Sequence, residues 1–146
     1  MRLRELPSRC FLLLLTIGLC GMGPVALAQT PLSGSVFDNP TTPLGAGVTY
    51  SVNGHITVPA GQTLTVPPGV VFKFNGNHGF TVAGTLLCGT LAQPAVVFTS
   101  ATDDSVGVDL TAGVTAGAAG SWNQIYFGTA SDASLVRNTV VRFAGS

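Results

Sequence analysis

The only carboxylate cluster in this chain is Asp103-Asp104, with Asp109 close behind. Oxygen ligands of this kind suit Ca2+. Two carboxylates held at a set separation can also act as acid and base in glycoside hydrolysis. Both chemistries need rigid placement, and adjacent aspartates in a Gly/Ala-rich stretch do not supply it. The favoured reading is therefore a solvated pair of loop charges, with Asp103 and Asp104 as the ligands should calcium bind. No D-x-[DN]-x-[DN]-G loop and no Gly-Asp nonapeptide repeat is present. His55 and His78 both sit near turns, and two histidines make no metal site without a third ligand. No G-x-S-x-G elbow supports a serine hydrolase. No catalytic residue and no cofactor motif can be named. Trp122, Tyr126 and Phe127 could offer an aromatic platform to sugar rings. Trp122 and Tyr126 are the candidate carbohydrate contacts, although a tryptophan at a corner more often packs into a core.

The segment carrying these residues is bounded by what precedes it. Arg2, Arg4 and Arg9 form a positive start, Cys10 to Leu19 is an apolar run, and Ala26-Leu27-Ala28 is a small-residue cleavage signal. Residues 1–28 therefore read as a secretory signal peptide, and the chain is expected to be secreted or at the cell surface. The apolar run is shorter than the roughly 20 residues a bilayer span needs, so no membrane span is expected after cleavage. Leu19 before Cys20 argues against a lipoprotein signal. Cys10 and Cys20 leave with the leader, and Cys88 alone cannot make an internal disulfide. It falls where Val66 falls in a related stretch and reads as a small buried hydrophobe. Beyond residue 28, Lys73, Arg137 and Arg142 stand against Asp38, Asp103, Asp104, Asp109 and Asp132. This balance has no basic patch, which excludes nucleic acid as a partner. The abundance of Val, Ile, Leu and Phe excludes disorder.

The elements that must position the candidates repeat. Ile56-Thr57-Val58 and Leu64-Thr65-Val66 correspond to Phe80-Thr81-Val82 and Leu86-Leu87-Cys88. Val70-Val71-Phe72 corresponds to Val96-Val97-Phe98. Spacings of 24 residues (56 to 80) and 26 (70 to 96) are those of a coiled β-ladder, a solenoid. Alternation puts Ile56, Val58, Leu64, Val66, Val70, Phe72 and Phe74 inward, with Val71 and Lys73 outward. Pro59-Ala60-Gly61 and Pro67-Pro68-Gly69 are turns, Pro presetting φ and Gly taking the positive value. No helix is expected.

Residues 29–50 form a Pro/Thr/Gly/Ser-rich lead-in, with a strand near Val48–Val52. It can cover the open first coil, since solenoids need an atypical terminal unit. Residues 51–146 are the ladder, interrupted by a Gly/Ala-rich insertion at 101–121. After it, Val141 and Phe143 match Val96 and Phe98 at an offset of 45. Arg142 then faces outward, as Lys73 does, and both read as solvated charges.

Ile56 to Gly69, Val82-Ala83-Gly84-Thr85-Leu86, Val97-Phe98-Thr99-Ser100 and Trp122-Asn123-Gln124-Ile125-Tyr126-Phe127 resemble secreted bacterial right-handed parallel β-helix repeat proteins. The resemblance spans about residues 50 to 146. It implies an all-β, right-handed parallel β-helix of the pectate-lyase-like kind, with three sheets wound into one coil. The chain stops after an inward-facing strand, so the solenoid is expected to be incomplete at its C-terminus and continued by further coils of a longer chain. The fold serves lyases, hydrolases and adhesins alike, so it carries no activity by itself. The expected function is that of an exported structural or carbohydrate-contacting module, with a polysaccharide or cell-surface polymer as partner. The alternatives are the N-terminal part of a polysaccharide lyase or glycoside hydrolase, and an adhesin or autotransporter passenger.

Overall fold

The computed structural model describes residues 29–39, 43–91, 93–113 and 115–145. The expected signal peptide, 1–28, lies outside them. Among the described residues there is no helix, and every strand pair is parallel. Among these residues no helix is long and apolar enough to cross a membrane.

The chain runs in successive passes that lie side by side. β1 (Thr30–Ser35) runs along β2 (Thr49–Val58), pairing Thr30 with Tyr50 and Gly34 with Ile56. The lead-in thus lies against the first full pass; beyond β1 the Asp38 amide donates to the Thr63 carbonyl at 2.7 Å and the Gly47 amide to the Pro68 carbonyl at 3.1 Å. β2 changes partner half-way. Its first half pairs with β4 (Val71–Phe74) and its second with β5 (Phe80–Val82). β3 (Thr63–Val66) pairs with β6 (Thr85–Cys88) in a separate small sheet. β7 (Val96–Ser100), β8 (Ile125–Phe127) and β9 (Leu135–Val136) form the next pass on β4, β5 and β6 respectively. β10 (Thr139–Val141) then lies on β7. The result is a curled parallel sheet, compatible with a solenoid.

The turns follow from their residues. The Gln62 amide closes on the Pro59 carbonyl at 3.1 Å, with Gly61 at φ 74°. That positive φ is the one a type II turn needs at its third residue, where glycine carries no Cβ penalty. In the next pass this four-residue turn shrinks to Ala83-Gly84. A Cβ on Gly84 would stand 2.2 Å from the Pro59 carbonyl oxygen, so only glycine fits beneath the turn below.

Stacking agrees with the alternation. Phe80 lies over Ile56, Val82 over Val58, Leu86 over Leu64, Cys88 over Val66 and Phe98 over Phe72. Inside, Tyr50, Phe72 and Phe98 form a column with ring centroids 5.9 Å and 4.8 Å apart, and Phe80 meets Phe72 and Phe98 edge-on.

Two expectations are corrected. The last strand pairs Thr139 with Val96 and Val141 with Phe98, two residues off the expected register. A slip of two keeps the inward face, which is why alternation alone does not exclude it. Phe143 has left the ladder at φ 60°, its ring against Gly117 of the insertion. Lys73 points away from the interior but is not solvated. It is completely buried, because the insertion lies across the outside of β4 and β7 and covers Val71, Val97 and Thr99 as well.

The aromatic column makes a graded prediction. Phe72→Ala is expected to lower unfolding free energy by about 3–5 kcal/mol, read from urea titrations followed by circular dichroism. Phe127→Ala, at the half-exposed end of the ladder, is expected to lower it by less than half of that.

Candidate functional site

The acidic residues singled out by the sequence are brought together with Lys73 and Arg142, on the outer face of β4, β7 and β10. β7 ends at Ser100, and the chain turns outward at Ala101. Asp103 lands over Thr99, whose Oγ1 donates to Asp103 Oδ2 at 2.6 Å. The Ser105 amide and hydroxyl donate to Oδ1 at 3.1 and 2.5 Å. Arg142 Nη1 lies 3.6 Å from Oδ2 and donates to Ser105 Oγ at 3.0 Å. Burial alone would raise the Asp103 pKa. The bonds from Ser105 and Thr99 and the Arg142 charge together outweigh it and hold the carboxyl below its ordinary value. Asp104 reaches across the insertion, its Oδ2 accepting from the Thr115 amide at 2.6 Å and hydroxyl at 3.0 Å. The backbone bond from Thr115 is the main reason that its pKa is lowered too.

Lys73 lies beneath this layer. Burial pushes its pKa down, opposed by the charges of Asp104, Asp103 and Asp109. The far end of the insertion is clipped to the segment that follows β10. The Ser121 amide bonds to the Phe143 carbonyl at 3.0 Å, and Trp122 Nε1 donates to the Arg142 carbonyl at 2.6 Å. Arg142 thus holds both feet of the loop, one with its side chain and one with its backbone.

The expected solvated pair of loop charges is therefore corrected: Asp103 is buried, and both of its carboxyl oxygens are engaged. That engagement leaves little for a cation. Among the described residues no group of three or more His, Cys, Asp or Glu is placed to hold a metal ion. Arg142 is partly covered, not the solvated charge expected. Sequence reasoning missed Lys73. A signal was present, since its one lysine precedes an insertion carrying three aspartates, but nothing in a strand pattern says what lies outside the sheet.

The two expected carbohydrate contacts part company. Trp122 is wholly buried, its ring 4.2 Å from Phe74 and nearly parallel to it, so its face cannot stack on a sugar. Tyr126 is 53 % exposed on the outer face of β8. There it continues a register column of Ser35, Thr57 and Thr81. His55 flanks this column. Its Nδ1 accepts the Gly79 amide at 3.2 Å and its Nε2 lies 2.8 Å from Thr81 Oγ1, so Nε2 carries the proton. Cys88 is buried, which raises its thiol pKa against an opposing bond from Thr139. It is a packing residue and not a nucleophile. At the end of the ladder a concavity of about 490 Å³ opens onto Phe98, Ile125, Phe127, Val136 and Val141.

No protein-family model, curated protein or solved structure matches this chain.

Asp103 makes the anchoring of the insertion pH-dependent. Its pKa is lower in the folded state, so its contribution is present above the ordinary value of 3.8 and lost as pH falls through the depressed one. Amide hydrogen exchange across 101–113, corrected for the intrinsic pH effect, is expected to accelerate on acidification while β2, β4 and β5 stay protected. Asp103→Asn is expected to show the fast exchange already at neutral pH.

Proposed function

We propose that this chain is an exported segment of a right-handed parallel β-helix, working as a structural scaffold that contacts an extended polysaccharide. The observation that carries the reading is the outward column Ser35, Thr57, Thr81 and Tyr126, one residue from each of four adjacent passes. Passes about 4.8 Å apart place these hydroxyls and the terminal ring along roughly 14 Å of flat sheet. Such a face suits a polymer lying along the coil axis, with hydroxyls for hydrogen bonds and an exposed ring for stacking. The leader at 1–28 supports an extracellular setting. The apolar end of the ladder supports further coils of the same kind as the partner that covers Phe127, Val136 and Val141.

A lyase or hydrolase draws less support. The acids and cations do gather on one outer sheet face, but Lys73 is buried beneath the insertion and Asp103 within it, both closed to substrate.

The test is retention on insoluble polysaccharides, pectin-like polymers among them, with product analysis of the same mixtures. Retention without release of unsaturated or reducing ends is expected. Tyr126→Ala should weaken it about fivefold to tenfold, as for loss of a stacking contact of about 1 kcal/mol. No retention on any polymer removes the carbohydrate reading, and turnover by the wild-type chain replaces it with an enzyme.

A further inference from the structure

On the outer face of the sheet the register stacks Lys73 on Thr99. Arg142 extends the row, its amide bonding to the Phe98 carbonyl at 2.9 Å. Thr49 lies alongside, in the pass below, paired with Val71. Two cations two passes apart stand about 10 Å from each other along the sheet, with a hydroxyl between them.

A peptide already sits on this row, the first half of the insertion. Asp103 accepts from the Thr99 hydroxyl at 2.6 Å and faces Arg142 at 3.6 Å. Ser105 Oγ accepts from Arg142 Nη1 at 3.0 Å. The Val108 amide donates to Thr49 Oγ1 at 3.1 Å, and a Cβ on Gly107 would stand 2.7 Å from that same oxygen. The face thus engages carboxylate and backbone amide together and admits a main chain at close range. That suits an acidic peptide better than a sugar.

The fit fails at one point. Arg142 has its carboxylate. Lys73 Nζ, wholly buried under the same segment, has no hydrogen-bond partner and no ion pair among the described residues. Asp104 turns instead to Thr115, and its Oδ1 is unpartnered as well. An ammonium buried in this way is among the least favourable groups a fold can hold.

We propose that Lys73, Thr99 and Arg142 form a docking site for an acidic peptide, with the insertion seated on it as a built-in competitor. Two carboxylates three residues apart in an extended strand span about 10 Å, the separation of the two cations. A partner with that spacing pairs with both, where the insertion pairs with one. The additional charge-assisted bond offsets the insertion's advantage of being tethered to the site. The site does not rest on the polysaccharide reading, whose column lies on another face, over β5 and β8.

The test is fluorescence anisotropy of a labelled synthetic peptide with two aspartates three residues apart, titrated with the full chain. Asp103→Asn unfastens the insertion from Thr99 and Arg142, and this variant should bind the peptide at least about tenfold more tightly than wild type. Adding Lys73→Gln or Arg142→Gln to it should weaken binding about tenfold, as for loss of one charge-assisted bond. The same peptide with asparagine at both positions should not bind. A second reading needs no substitution. Millimolar peptide added to the wild-type chain should accelerate amide exchange across 101–113 while β2, β4 and β5 stay protected, because the bound peptide holds the insertion off. Exchange unchanged by peptide, or binding that survives Lys73→Gln, overturns the proposal. Oligogalacturonate binding that depends on Lys73, with no binding of the peptide, overturns the assignment to a peptide.

Discussion

Each inward side chain in this protein must lie on one of similar size in the pass below, and everything else in the structure answers to that constraint. A single pass is a ribbon with one apolar edge and cannot bury it alone. Two passes in register bury Ile56 under Phe80 and Leu64 under Leu86 while the backbone amides pair without interruption. Burial and hydrogen bonding therefore rise together, each side chain of this size contributing roughly 1.5–3 kcal/mol. The turns serve the same end. Gly84 is glycine because the turn from Pro59 to Gln62 rests directly on it. The aromatic column from Tyr50 through Phe72 to Phe98 is the ladder's spine, with Phe80 wedged edge-on against it.

This constraint explains what could be read in the chain before its structure. Alternation and the Pro-Gly turns locate the inward residues, and the first two full passes match the expected register residue for residue. The slip at β10 shows where such reasoning stops. Thr139 and Val141 obey the same period of two as the expected pair, and only the backbone path around the insertion decides between them. Lys73 shows the second limit. The pattern says correctly that it points out, but outward means solvated only if nothing covers the sheet. What covers it is a stretch of Gly, Ala and Thr with no periodicity, ordered by specific bonds from Asp103, Asp104 and Arg142. Trp122 illustrates the same point for the candidate site. Its type suits sugar stacking, while its place at the return from the insertion sends it onto Phe74.

The molecule thus presents different surfaces on its several sides. The outer face of β4 and β7 is sealed by an ion cluster. The outer face of β5 and β8 is an open row of hydroxyls that ends in Tyr126. The end of the ladder is apolar and concave. The functional reading follows from which of these is accessible, and the sealed face, for all its acids and cations, is the least so.

The insertion leaves the coil at Ala101 and rejoins it at Trp122, at a bend where neither neighbouring strand must move to admit it. Its length is therefore uncoupled from the spacing of the ladder. A segment there too short to lie across β4 would leave the stacked interior untouched and return Lys73 to solvent, where a lysine is at ease. Such a corner is a natural site of divergence, where new surface can be acquired while the scaffold beneath is inherited unchanged.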